Sequence, residues 1–472
     1  MFQPLLRKSL LLLFCLSPMS LFAAEAQSII IDNYNRMPVG SMGSMQGGAI
    51  TARANTADAA WYNLAGITQK ETSSIDGNVS VYGTNNVTLN GGDVSTNIDT
   101  ISSFLGGTGK ISDDFYYGYS IVVPASFSSS SRLETYTEAV DSDANATVTT
   151  EVTESSASFR ILAPGFGVAY RIADWLSIGV GARLYIVDIA EQDSWVSLQD
   201  GAGYDAYDNL YDSTYNESGS SSLTGSANLL RFEVGIQASL GNSIKLGFNT
   251  RTASSRVLSS GRNAYTNSTY SAYYSTGTTD DGDTYVDSEI FSAVDRNPDE
   301  STVFDYQMPQ ETTVGLAFMG DTLEIELDAT VYSKIASYDM FSAYTGEVSE
   351  DTTTISGDDG TGFTHTNTKN LFEDEYDATE NSAEQVVNYA IAGKIKFDQA
   401  LHLYFGFWKD NSPLSELGDS VSFDGAALGF SKQTDGSVLT AGVFATQGTS
   451  ADPDLDLSIL SVGAVIGASK SF

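Results

Sequence analysis

Past residue 70, apolar and polar positions alternate with a period of two. Between Trp175 and Ile186, the residues Leu176, Ile178, Val180, Ala182, Leu184 and Ile186 share one face, while Ser177, Gly179, Gly181, Arg183 and Tyr185 share the other. The stretch from Leu401 to Trp408 repeats this, with Leu401, Leu403, Phe405 and Phe407 against His402, Tyr404, Gly406 and Trp408. A strand sends successive side chains to opposite faces, so each segment has one wholly apolar face and one small or polar face. That is the pattern of a strand with lipid on one side and a watery lumen on the other. A soluble sandwich also alternates, but its non-core face carries more Lys and Glu than these segments do.

Fourteen such segments are read, at 75–89, 99–111, 114–128, 155–172, 174–191, 223–241, 243–258, 303–319, 322–338, 382–397, 400–410, 421–432, 437–447 and 457–472. Six connections carry tight-turn chemistry: Ser112-Asp113, Ala173-Asp174, Gly241-Asn242, Gly320-Asp321, Asp398-Gln399 and Asp435-Gly436. The other seven are longer, and 129–154, 192–222, 259–302 and 339–381 are predicted to be very long loops. Tight turns alternating with long loops predict an all-β fold, a 14-stranded antiparallel transmembrane β-barrel of the bacterial outer membrane over 73–472, turns periplasmic and loops exterior. An even strand number closes the sheet without an edge and leaves both termini periplasmic. Phe472 falls on the lipid face with Leu460, Val462, Ala464 and Ile466, a terminal aromatic of the kind the barrel-assembly machinery expects, although Lys470 breaks the apolar row.

Composition sharpens this picture. The 472 residues hold 23 Lys plus Arg against 60 Asp plus Glu, a net charge of −37, which argues against nucleic acid because a phosphate footprint needs a basic face. Only 18% of residues are charged, and 43 Gly with 25 Tyr favour one large β architecture over several soluble domains. One Cys excludes a disulfide framework and a Cys-based zinc site. No later apolar run approaches the roughly 18 to 20 residues of a membrane helix. The first 26 residues read as a cleaved secretory signal: Arg7 and Lys8, an apolar run Leu10 to Leu16, then Ala24-Glu25-Ala26, with cleavage after Ala23 or Ala24 as the near alternative.

Residues 27–72 are not strand-like. They are rich in Gly, Ala and Met and include Trp61 and Tyr62. A periplasmic tail would be polar, so a plug (hatch) inside the lumen is the expected placement. Gly40, Gly43, Gly47 and Gly48 lack the preceding strand of a phosphate-binding loop, so close packing is the better account.

Gly47-Gly48-Ala49 followed by NTADAAWYNLAGIT, Asn55 to Thr68, resembles the plug signature of the FadL family of long-chain fatty-acid and hydrocarbon transporters. Its matching residues are Gly47, Gly48, Asp58, Trp61, Tyr62, Asn63, Ala65 and Gly66, with Leu64 where the family usually has Pro. Gly165 to Ile186 resembles that family's hairpin of the AYR–D–LSLG type. The resemblance implies a fourteen-stranded barrel with an N-terminal hatch and passive uptake of long-chain fatty acids or similar hydrophobic molecules. It also implies a kink in the third strand that makes a lateral opening.

Pro124 lies within that third strand; it cannot donate to the ladder, so the strand should kink or bulge there, unless it sits at the rim where ladders end. Met37, Met42 and Met45 are adaptable apolar fillers for a hydrophobic ligand or simple packing. By parity Arg183, Arg231, Lys245 and Arg251 face the lumen, as do Glu233, Glu324, Glu326 and Asp328. Arg183 and Arg231 are the candidates for a carboxylate head group, the alternative being an interior salt-bridge lattice. Tyr204, Tyr207, Tyr270, Tyr273 and Tyr274 form an exterior groove where cargo adsorbs, or pack within the loops. The Asp280-Asp281-Gly282-Asp283 run departs from calcium-loop spacing and reads as solvated surface, or as a place where divalent cations bridge to lipopolysaccharide. His365 and His402 build no catalytic constellation, so no enzyme, cofactor or metal is expected. No feature demands a trimer, and a monomer is expected. The readings from other classes are a surface adhesin or phage receptor whose loops bind partners, and a porin for small polar solutes.

Overall fold

The structure is a computed structural model that describes residues 33–34, 38–69, 72–89, 92–93, 96–140, 146–204, 210–278, 284–358, 362–376, 378–414, 420–450 and 457–472. The signal segment, Met37 and Tyr207 lie outside the described residues.

Fourteen strands run in chain order. β1 is Ser74–Leu89, β2 Thr96–Lys110, β3 Phe115–Val140, β4 Ala146–Ala173, β5 Leu176–Tyr204 and β6 Leu210–Leu240. Strand β7 comprises Ile244–Arg251 and Ser255–Thr278, and β8 comprises Thr284–Thr302 and Glu311–Met319. Strand β9 comprises Leu323–Tyr332, Ile335–Phe341 and Tyr344–Asp358, and β10 comprises Gly362–Tyr376, Thr379–Ala383 and Val386–Lys396. β11 is Leu401–Asp410, β12 Val421–Thr434, β13 Ser437–Ser450 and β14 Leu457–Ser471. Each pairs antiparallel with its neighbour, and β1 closes on β14 from Ser74↔Ser471 to Leu89↔Leu457. Closure leaves no long unpaired edge, the condition for a sheet to cross a bilayer.

The alternation expected from the sequence sorts the side chains. Val180, Phe232, Leu246, Phe318, Leu327, Phe407, Phe430 and Ile466 are exposed on the outer surface, together with Phe472. The same strands bury Arg183, Glu233, Asn249, Glu326 and Tyr404 on the inner one. An apolar belt drawn from successive strands is the lipid face of a transmembrane barrel of the outer-membrane type. Five of the six tight turns fall between strand ends where they were expected, and the sixth lies one residue on, at Asp174-Trp175.

The long loops are corrected. The intervals 129–154, 192–222, 259–302 and 339–381 are mostly strand: β5 and β6 stay paired from Leu176↔Ala238 to Tyr204↔Leu210. Beyond the lipid both faces meet water, so the apolar alternation disappears while Thr, Val and Tyr still favour strand. β6 has 31 residues against 10 in β11, so the barrel wall is tall on one side and low on the other.

Candidate functional site

The segment from Pro38 to Gln69 lies against the inward faces of strands from opposite sides of the ring. It forms a 3-10 turn at Ser44–Gln46, a short helix α1 at Ala59–Tyr62 and a second 3-10 turn at Leu64–Gln69. Ser44–Gln46 contacts β10 to β13, and Leu64–Gln69 contacts β3 to β6. Inward glycines make this close approach possible. A Cβ at Gly235 would strike Asn63, at Gly247 Thr51, at Gly406 Gln46 and at Gly429 Met45. Gly47 and Gly48 hold left-handed backbone with φ of 59° and 83°, which a side chain disfavours.

Polar bonds fix the segment. Asp58 accepts the amide N–H of Met42 at 2.9 Å and of Gly43 at 3.0 Å, and its burial pushes its carboxyl above the ordinary range despite those bonds. Asn63 Nδ2 donates to the carbonyls of Thr51 at 2.9 Å and Ile236 at 3.0 Å, tying the segment to β6. The Tyr62 hydroxyl donates to the Val39 carbonyl at 2.8 Å. Leu64 packs with Tyr116 and Ala169 and reaches over Gly167, Gly179 and Gly181. Ala65 is buried, and Gly66 sits where a Cβ would strike the Ala54 carbonyl.

An ionic layer surrounds these contacts. Arg53 Nε donates to Glu326 at 2.7 Å, and Nη1 to Glu324 at 3.3 Å. The Ala52 N–H donates to Glu326 at 2.5 Å and the Thr51 N–H to Asp328 at 3.1 Å. Arg183 donates to the Ala60 carbonyl at 2.6 Å, to Ser120 at 3.0 Å and to Glu233 at 3.3 Å. Arg251 bridges Glu233 at 3.2 Å and Glu311 at 2.7 Å, and also donates to the Trp61 carbonyl. The Arg183 and Arg251 guanidiniums lie 4.6 and 4.5 Å from the centre of the Trp61 ring. Arg231 donates to the carbonyls of Thr252 at 2.7 Å and Pro309 at 2.8 Å and pairs with Glu311 at 3.7 Å. Both candidate head-group arginines thus have their terminal donors engaged by carbonyls, a hydroxyl and carboxylates of the protein itself.

Farther from the turns the lumen becomes apolar. Phe159, Ile161, Tyr185, Val187, Ile189, Leu229, Phe304 and Phe341 form one buried cluster, against which Trp61, Ala125 and Met308 pack. A cavity of about 60 Å³ opens there beside Pro124, Ala125, Tyr185, Tyr306 and Met308. A second, of about 70 Å³, lies across Tyr34, Trp61 and Tyr332 and touches Thr51, Asp328 and Asn388. Strand β3 breaks register at this point with both neighbours, between Val122 and Ala125 against β4 and between Thr100 and Ser103 on β2. Pro124 thus sits in an irregular stretch of ladder with paired residues on either side.

The other named residues scatter. Met45 is fully buried with Tyr404 and Trp408, a packing role, and half-buried Met42 joins them. Tyr270 and Tyr273 lie on β7 instead of in a loop; Tyr270 is exposed, and Tyr273 stacks on Tyr211 at 5.8 Å. Sequence reasoning missed Arg53 and the apolar chamber. Both had a signal: Arg53 is the lone basic residue between Met37 and Gln69, and the inward parity of Tyr185 continues through Val187 and Ile189.

The architecture is a fourteen-stranded outer-membrane barrel whose lumen is occupied by its own N-terminal segment. Among solved structures, the chain is similar to the toluene transporter TodX of Pseudomonas putida, with a TM-score of 0.53 and 12% identity over 94% of this chain and 100% of that one. It is also similar to a FadL homologue of Pseudomonas aeruginosa, with a TM-score of 0.51 and 12% identity over 93% and 99% of the two chains. At such identity the shared property is the fold. No protein-family model matches the chain, and no curated protein matches it in sequence.

Proposed function

We propose that the protein is a passive route for hydrophobic molecules across the outer membrane, with its strand turns and termini on the periplasmic side. The observation that carries this is the apolar chamber. A barrel lumen is ordinarily polar, yet here Phe159, Ile161, Tyr185, Leu229 and Phe304 line it and pack toward Ala125, beside the irregular ladder at Pro124. Pro38 to Gln69 acts as the plug, its Trp61 forming part of the chamber floor. Cargo adsorbs at the rim, passes to the chamber and leaves sideways near Pro124.

The cavity of about 60 Å³ is smaller than the roughly 150 Å³ that holds a benzene in an apolar protein core, so side chains such as Met308 move aside for cargo. A carboxylate would have to displace Glu233 or Glu311 from the arginines, so neutral hydrocarbons suit the chamber better than fatty acids. Lipopolysaccharide surrounds the barrel, and the chain works as a monomer inserted by the barrel-assembly machinery. A surface-receptor reading is favoured by one observation, the 31-residue β6 and the polar wall it builds.

The test is uptake of labelled toluene and labelled oleate by whole cells expressing the protein, against cells producing the chain without residues 27–60. Toluene uptake that the deletion abolishes while surface assembly persists supports the reading. An unchanged phenotype with normal assembly transfers the function to the wall.

A further inference from the structure

Glu326 and Asp328 stand two residues apart on the inner face of β9, and both grip the same stretch of the N-terminal segment. Glu326 takes Arg53 Nε on its Oε2 at 2.7 Å and the Ala52 N–H on its Oε1 at 2.5 Å. Asp328 takes the Thr51 N–H on its Oδ2 at 3.1 Å, while its Oδ1 is buried with no hydrogen-bond partner among the described residues. The two carboxyls converge over Gly315 of β8. A Cβ there would lie 2.6 Å from Asp328 Oδ1 and 3.0 Å from Glu326 Oε1, and the two groups are within hydrogen-bonding reach of each other.

Two ionised carboxylates in such contact, withdrawn from water, repel with nothing between them to offset the charge. Arg53 is paired with the other oxygen of Glu326, and no ion pair reaches Asp328 among the described residues. The remaining charged groups on the surrounding elements are Glu324 on the same strand, Glu311 on β8, Lys245 and Arg251 on β7, and Lys394 and Lys396 on β10. Of these, Glu324 binds Lys396 at 2.6 Å and Arg251 binds Glu311 at 2.7 Å. The phenols of Tyr34, Tyr62 and Tyr332 line the adjoining cavity. A single proton on Asp328 Oδ1 removes the clash. The oxygen becomes a donor to Glu326, which keeps its charge for Arg53, and an O–H···O⁻ bond is among the stronger hydrogen bonds. Water reaches the pair from that cavity of about 70 Å³, which Asp328 and Thr51 also line, since one water needs only about 10–15 Å³.

We propose that Asp328 and Glu326 share one proton at neutral pH, and that this acid pair is a proton-sensitive clasp on residues 51–53 of the N-terminal segment. When hydroxide removes the proton as water, the hydrogen bond is lost, two like charges face each other, and the grip on Thr51 and Ala52 loosens. The clasp rests on the segment lying in the lumen and not on what the chamber carries.

Infrared difference spectroscopy of the purified full-length barrel in neutral detergent tests the shared proton. Wild type minus Asp328→Asn should show a protonated-carboxyl C=O band at neutral pH that shifts in heavy water and is lost at alkaline pH. The Asn side chain mimics protonated Asp328, because its amide donates to Glu326 and its carbonyl still accepts the Thr51 N–H. At alkaline pH, limited proteolysis should therefore cut wild type within Pro38–Gln69 several-fold faster than Asp328→Asn, with equal cutting of the two at neutral pH. Glu326→Gln removes the same band and serves in place of Asp328→Asn if that variant does not assemble. Absence of the carboxyl band at neutral pH overturns the shared proton, and equal cutting of the two proteins at alkaline pH overturns the clasp.

Discussion

The two halves of the lumen use the same strands for opposite purposes. On β5 the inward residues run Ser177, Gly179, Gly181 and Arg183, then Tyr185, Val187 and Ile189. The first group meets the N-terminal segment through small side chains and one guanidinium, and the second builds an apolar wall. The change occurs within a few residues of one regular strand. Chemistry in a barrel lumen is thus set by inward parity one position at a time, while the outward residues from Leu176 to Ile186 stay apolar.

The ionic half should be the more fragile under truncation. Glu233→Ala leaves buried Arg183 without its carboxylate and costs about 3–5 kcal/mol, read as a lower urea midpoint of the folded barrel. A midpoint equal to wild type would mean that the lattice carries no stability. Next comes Gly179→Val, whose side chain would press on Leu64 and Ala65. Overpacking costs about 1–3 kcal/mol, and limited proteolysis should cut within Pro38–Gln69 in the variant but not in wild type.

The apolar half should respond more gently in stability than in uptake. Ile161→Val removes one methylene from the chamber at a cost of about 0.5–1.5 kcal/mol. Toluene uptake should change measurably, and a change in stability with no change in uptake would separate this cluster from transport. The smallest effect lies outside the lumen. At the turn before β11, the N–H groups of Ala400 and Leu401 hold the Asp398 carboxyl below its ordinary range. A depressed folded-state value adds stability above the unfolded value and loses it as pH falls through the folded one. Asp398→Asn should therefore narrow the stability difference between neutral and acidic pH, and an identical acid profile would dismiss the turn's contribution.

The barrel was legible because lipid imposes a strict rule on every second residue. Leu176 to Ile186 and Leu401 to Phe407 obeyed it, and the turns at Asp174 and Asp398 marked the ends. The wall beyond the lipid was not legible as strand, because Thr147 to Glu154 and Ser213 to Ser222 have no apolar face to reveal their period. Within the lumen, parity placed Arg183, Arg231 and Glu233 on the correct side but did not identify their partners. Those partners include the carbonyls of Ala60, Thr252 and Pro309, which residue type does not encode. The inward glycines looked merely small; their meaning depends on the segment that lies on them.

The seam between β1 and β14 has a consequence for how the molecule is made. Neighbouring hairpins form from local contacts, but Ser74 meets Ser471 only when almost the whole chain has emerged. Such a distant pairing comes late, and until then two bare edges invite association with other chains. Pro38 to Gln69 precedes β1, yet it ends up against strands on every side of the ring. Its seat is therefore complete only when strands far apart in the chain have come together around it.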